Sequence, residues 1–207
     1  MDTERQLFKE YLLPGQEYNS HIESNERDIR HRFIAATACY PQCVDGSIQY
    51  LFSCGATADL FASTYLTIDD DWKWRFHHDI DAIMLDDTLC LQGVDMSTPE
   101  QHGGGMFLNK NFLLHTAINI PIGNTSILIV HPAITMAQKL AAYWDGTIQP
   151  KDLHDVVGIY KALQKTNLCF TWPKVFLAAI SCHRGSQHKL ICQRLKLLVE
   201  TANNLKS

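Results

Sequence analysis

The stretch Arg75-Phe76-His77-His78-Asp79-Ile80-Asp81-Ala82-Ile83-Met84-Leu85 decides how the chain is read. Asp79 and Asp81 lie two residues apart and run into an apolar tail. Side chains alternate faces along an extended strand, so both carboxylates fall on one face, roughly 7 Å apart, with Ile80 opposite. Two acids on one face at a strand end repel each other unless a cation lies between them. Hard divalent ions such as Mg²⁺ take oxygen ligands of this kind. The tail from Ala82 to Leu85 reads as a strand buried on both faces, as in a sheet covered by helices. A solvated Asp-x-Asp turn before a core strand would show the same letters, so the pair has to be judged with its surroundings.

Upstream, Tyr50-Leu51-Phe52-Ser53-Cys54-Gly55-Ala56-Thr57-Ala58-Asp59-Leu60-Phe61 passes from an apolar strand through a turn of small residues into a helical segment. Glycine at such a turn lets backbone N–H groups approach a phosphate, and the helix N-terminus that follows favours anions. A phosphate cradle and a carboxylate pair are the minimum equipment for metal-assisted nucleotidyl transfer.

The remainder frames these two segments. With 207 residues, 46% hydrophobic and 19% charged, the chain has the composition of a globular protein able to bury a core. No apolar run approaches the ~20 residues of a membrane span, and the polar Met1-Asp2-Thr3-Glu4-Arg5 start shows no signal peptide. Seven scattered cysteines, several in apolar company, suit reduced buried thiols in a cytoplasmic compartment. Residues 1–150 hold 9 Lys+Arg against 19 Asp+Glu, and residues 151–207 hold 9 against 3. A basic C-terminal part beside an acidic site suits an anionic substrate, although lysines on solvated helix faces give the same count.

In chain order, the periodicity predicts helices over 3–13 and 20–38, the first closed by Pro14-Gly15, and a loop at Pro41 to Gly46. It then predicts a strand over 48–53 and a helix over 58–65. Asp69-Asp70-Asp71-Trp72-Lys73-Trp74 reads as a segment whose tryptophans pack inward rather than stack on a base. A strand over 79–85, an Asp86-Asp87 turn and a strand over 88–94 form a hairpin. Gly103-Gly104-Gly105 is a flexible connection, and two more strands cover 112–120 and 126–130. Helices follow over 132–144, 150–164, 173–183 and 186–205, the first three opened by Pro132, Pro150 and Pro173.

Taken together, Gly55-Ala56-Thr57-Ala58, His78-Asp79-Ile80-Asp81, Ile127-Leu128-Ile129-Val130-His131-Pro132, Lys139-Leu140-Ala141-Ala142 and Pro150-Lys151-Asp152-Leu153-His154-Asp155 resemble the nucleotidyltransferase-fold superfamily in their order and spacing. The likeness covers roughly residues 48–165 and is to AbiE-type toxin nucleotidyltransferases and to small lincosamide and aminoglycoside nucleotidyltransferases. The resemblance implies an α+β fold with a mixed sheet flanked by helices. It implies a sheet domain with N-terminal helices over 1–131 and a helical region over 132–207. It further implies Mg²⁺ on Asp79 and Asp81, an NTP triphosphate along Gly55, Ala56 and Thr57, and Lys139, Lys151 and Asp155 lining the nucleotide cleft, with Lys139 and Asp155 among the catalytic groups. The family's third carboxylate would match Thr116-Ala117-Ile118-Asn119-Ile120, where Asn119 stands; then either another acid serves, with Asp95 a candidate, or the hydroxyl is activated differently, or activity is lost.

The expected activity is transfer of a nucleoside monophosphate to a hydroxyl of a tRNA end, a protein or a drug. An antitoxin protein is a possible partner by the same likeness, and a membrane is not expected. The rival is a catalytically degenerate module that binds a nucleotide or a protein. A third reading, a metal-dependent phosphohydrolase, would use His77 and His78, with His102, His131 and His154 converging in space. Otherwise His78 orients Asp79.

Overall fold

The computed structural model describes residues 2–12, 20–67, 70, 72–85, 89–100, 107–141 and 147–204. A mixed five-stranded sheet is built outward from β3 (Tyr50–Ser53), an apolar segment buried along its whole length. β3 pairs antiparallel with β4 (Asp81–Met84) and parallel with β7 (Thr125–Ile129). β5 (Asp95–Ser97) lies outside β4, and β6 (Ile118–Ile122) outside β7, giving the order β5-β4-β3-β7-β6. β1 (Cys43–Val44) and β2 (Ser47–Ile48) form a separate hairpin. Its two-residue turn is Asp45-Gly46, both at positive φ, which is the Asp-Gly chemistry such hairpins require.

Eight α-helices among the described residues accompany this sheet: α1 (Asp2–Leu12), α2 (Ser20–Cys39), α3 (Cys54–Tyr65), α4 (Lys110–Thr116), α5 (Pro132–Ala141), α6 (Pro150–Lys165), α7 (Trp172–Ser181) and α8 (Gly185–Asn204). The α+β class expected from the sequence is therefore observed. So are the helices expected near the N-terminus and after Pro132, with Phe8, Ile29, Phe33, Ala36, Ile134, Ala137, Leu140, Leu153, Val156, Val157 and Leu163 all buried. α6 packs chiefly on α3 and α5, and α1 on α8 and α6. Arg194 of α8 is buried and bonds Glu4 of α1 (2.7 and 2.9 Å) and the Leu140 carbonyl (2.8 Å). None of the described helices is long and apolar enough to cross a membrane.

Three expectations are corrected. The strand expected over 112–120 is α4 followed by β6. The Asn109 side chain accepts hydrogen bonds from the N–H groups of Asn111 and Phe112, and this cap starts a helix whose short apolar run reads equally well as a strand. The hairpin expected over 79–94 does not form, because β5 begins at Asp95 and runs parallel to β4. Parallel partners cannot be joined by a tight turn, so the chain must first travel back, with a bend at Gly93 (φ +76°). The cysteines are free as expected, but Cys39, Cys43, Cys90 and Cys192 are exposed rather than buried. Pro14-Gly15, Asp69, Asp71, Asp86-Asp87, His102, Gly103-Gly104-Gly105, Ala142 and Trp144 lie outside the described residues.

Trp72 and Trp74 are buried, as the packing reading required. Trp72 lies flat on the backbone of α6: a Cβ at Gly158 would stand 2.2 Å from its ring. Glycine at that position is what allows the segment from Trp72 to Asp81 to press against α3 and α6.

Candidate functional site

Three carboxylates gather at one end of β4. Asp81 opens the strand, and Asp79 is exposed just before it. Asp81 is in register with Ser53 on β3 and with Asp95 on β5. Register partners share a face, so Asp95 stands beside Asp81 on the side of the sheet that Ser53 occupies. The Asp81 carboxyl is pushed up to about 6, first by burial and then by the charges of Asp79 and Asp95. Asn119 is exposed on β6, with β3 and β7 between it and β4, so the match to a third carboxylate on that strand fails. The acid that joins the pair is Asp95.

Opposite these acids stand two cations held by buried acids. Lys139 of α5 bonds Asp152 (2.8 Å) and lies 3.3 Å from Asp155, both on α6. Arg75 donates Nε and Nη2 to Asp155 at 2.8 and 3.1 Å, a two-pronged bond. Burial works against their charged forms, but Asp155 and Asp152 outweigh it and raise both above their ordinary values. Asp155 is fully buried; burial opposes its ionisation, yet His154, Arg75 and Lys139 together hold it well below the usual carboxylate range. Arg75 and Lys139 each also stabilise the ionised form of Asp81, so the two poles sense one another.

The turn of small residues links the poles. Cys54 adopts φ +63°, uncommon for a residue with a side chain, and this sharp corner turns β3 directly into α3. Gly55, Ala56 and Thr57 are therefore in the first helical turn and not in a loop ahead of it. Ser53 makes no side-chain cap, leaving the first N–H groups of α3 without that partner. The Cys54 thiol is pushed up to about 12, mainly by burial and then by Asp81. Gly55 is where Arg75 lies down: a Cβ there would stand 2.1 Å from Nη2.

Behind the turn is a buried polar cluster. Asp59 of α3 accepts from the Arg75 N–H (3.0 Å) and bonds His77 Nε2 (2.8 Å) through one oxygen. Its other oxygen is 3.4 Å from His154 Nδ1, which is 3.7 Å from Asp155. Asp59, His154 and Asp155 offer ligand atoms within 4.8 Å of one another and could hold a metal ion. The ionised carboxylates of Asp59 and Asp155 outweigh the effect of burial and raise the ability of His154 to hold a proton.

The sequence-derived candidates thus fall into two groups. Asp79, Asp81, Gly55, Lys139 and Asp155 converge on the end of β4, the α3 turn and the facing helices. Lys151 does not join them: it is exposed in the first turn of α6, and Asp155 pairs with Arg75 and Lys139 instead. His78 packs edge-on against Phe76, and its carbonyl accepts from Arg32. His131 is buried, lowered to about 4 by that burial, and accepts the Ala133 N–H at the start of α5. Sequence reasoning missed Arg75, Asp59 and Asp152. Arg75 lies four residues before Asp79, inside the decisive stretch, but nothing local marks a partner 80 residues away. Of the nine Lys and Arg in residues 151–207, Lys165 pairs with Asp70, Arg194 with Glu4 and Lys196 with Glu200, and of these three only Arg194 is buried. Comparison of the chain with protein-family models, curated proteins and solved structures finds no match.

Proposed function

We propose that the chain is a Mg²⁺-dependent nucleotidyltransferase that transfers a nucleoside monophosphate from an NTP to a hydroxyl acceptor and releases pyrophosphate. The observation that carries this reading is the register of Asp81 with Asp95 across β4 and β5, with Asp79 two residues upstream. The donor set is all oxygen, and the Asp81 carboxyl is raised first by burial and then by the charges of Asp79 and Asp95, a pair of neighbouring acids that fits a hard divalent cation. Bound to Asp79 and Asp81, Mg²⁺ would supply Lewis-acid polarisation of phosphoryl oxygens.

The chain's own residues divide the remaining work. Asp95 is exposed and accepts the proton of the acceptor hydroxyl. Arg75 and Lys139 meet the charge of the triphosphate, in geometry fixed by Asp155 and Asp152, together with N–H groups from the first turn of α3. Asp155 is too firmly paired to act as a base, so it is a positioning residue. The rival reading, a degenerate binding module, rests on Asn119 in place of a third acid. Asn119 sits away from the site, so that reading loses its argument.

The acceptor class stays within RNA or tRNA, protein and small molecule. A toxin role with a protein antitoxin, or a role in antibiotic modification, follows only through the family likeness. Label transfer from each α-labelled NTP to total RNA, cell protein and candidate drugs tests the reading with Mg²⁺ present. Asp95→Asn should lower transfer by about 10²–10⁴-fold, the range of a lost general base. Asp79→Ala with Asp81→Ala should abolish it. Absence of transfer by the intact chain to every acceptor class, or undiminished transfer by the double variant, overturns the proposal.

A further inference from the structure

His154 and Asp59 pose a problem of charge and geometry that the nucleotidyltransferase reading does not use. The His154 Nε2–H donates to the Lys73 carbonyl at 2.9 Å, which fixes the ring and directs Nδ1 the other way. Nδ1 then faces carboxylate oxygens of Asp59 at 3.4 Å and Asp155 at 3.7 Å. Both Nδ1 and that Asp59 oxygen are buried, and neither has a hydrogen-bond partner. A bare imidazole lone pair against two carboxylates repels, so a positive centre belongs between them. A proton on Nδ1 should draw one carboxylate in to about 2.7–2.9 Å, the length of a charge-assisted bond. The 3.4 Å separation is instead near the edge of a tetrahedron around a small ion, about 3.3 Å for bonds of about 2.0 Å to nitrogen and oxygen, and Asp155, at 3.7 Å, would close in on binding.

We propose that Asp59, His154 and Asp155 form a buried three-ligand site for a divalent transition-metal ion of the Zn²⁺ type. The carbonyl-anchored Nε2–H is the outer-shell contact that orients metal-binding imidazoles. The mixed nitrogen and oxygen donors suit a borderline ion and not Mg²⁺. The Trp72 ring covers His154, with centroids 4.3 Å apart, and all three ligand residues are buried, so the ion is held away from bulk solvent. Asp152 and Asp155 are paired with the fixed charges of Arg75 and Lys139, which leaves the charge of Asp59 for the ion to meet. Three protein ligands leave a fourth position for water. Bound there, the ion joins α3 to α6 and clamps the Trp72–His77 segment, whose Arg75 N–H already bonds Asp59.

The test is independent of nucleotide transfer. Full-length protein purified without chelator is assayed for metal content, and the chelator-treated protein is titrated with Zn²⁺ and with Co²⁺ as the visible probe. One equivalent of metal is expected, with Co²⁺ absorbance of low coordination number and a thermal midpoint that rises with Zn²⁺. His154→Gln should remain folded by circular dichroism and bind Zn²⁺ more weakly by more than the ~10–100-fold that outer-shell changes cost. Asp79→Asn with Asp81→Asn should keep the Co²⁺ signal, which separates this site from the acid cluster on β4. Metal-free wild-type protein with no Zn²⁺-dependent shift, Zn²⁺ binding unchanged by His154→Gln, or Co²⁺ binding lost with Asp79 and Asp81 would each overturn it. A metal-free protein whose His154 titrates as an imidazolium identifies a proton as the occupant.

Discussion

Gly55→Ala tests the link between the α3 turn and the facing helix. Replacing glycine by alanine inside a helix ordinarily stabilises by about 0.5–1 kcal/mol. Here the new Cβ would stand 2.1 Å from Arg75 Nη2 and 3.3 Å from an Asp155 oxygen, so the guanidinium must leave. Moving it is sterically cheap, because it is the end of a flexible side chain. The cost lies in the two bonds to Asp155 that it gives up. Hydrogen bonds to charged groups contribute about 1.5–3 kcal/mol each, and the Arg75 side chain is 21% exposed, so water recovers part of the loss. The net effect expected for Gly55→Ala is a destabilisation of about 1–3 kcal/mol, opposite in sign to the helix-propensity effect. In an Arg75→Ala background the clash and the lost bonds are both absent, and Gly55→Ala should become neutral or stabilising by up to about 1 kcal/mol. Urea unfolding of the wild type, both single variants and the double variant closes the cycle, with a coupling of about 2 kcal/mol expected for groups in contact. Stabilisation by Gly55→Ala in the intact chain, or equal destabilisation in both backgrounds, would refute the reasoning.

Two further outcomes follow from the site and the helical frame. Asp81 has a folded value of about 6 against an ordinary 3.8, so the fold holds this proton more tightly than the unfolded chain does. Its ionisation costs stability as pH rises through that window, and the penalty is complete above about 6, so Asp81→Asn should stabilise the metal-free protein at neutral pH by roughly 1–2 kcal/mol and leave it unchanged below pH about 4, as read by urea unfolding across pH. Glu4→Ala removes the carboxylate that the buried Arg194 bonds and should cost about 3–5 kcal/mol by the same assay, whereas Glu4→Leu with Arg194→Met should cost far less because both charges are gone.

How far the sequence could be read depended on the range of the physics involved. The helices from Pro132 onward were legible because proline starts and apolar spacing are local signals, and the burial of Ile134, Leu140, Leu153 and Leu163 follows from them. The Asp79–Asp81 pair stands out by its spacing, but the strand expected from residue 79 begins at Asp81, so the two-residue period of β4 does not reach Asp79. Local pattern failed where the same letters serve two structures. Phe112 to Thr116 is helical because the Asn109 side chain caps it, and β5 runs parallel to β4 where a hairpin reading requires the reverse.

The sequence by itself determined an α+β chain with a buried strand, a corner of small residues, an Asp-x-Asp strand opening and a helical second half. Tertiary structure alone decided which groups meet: Asp95 rather than Asn119 beside Asp81, Arg75 rather than Lys151 on Asp155, and Asp59 facing His154. The reason is physical. Register across strands and packing between helices are set by burial of the whole core, and a partner tens of residues away leaves no mark on the local pattern that a periodicity can detect.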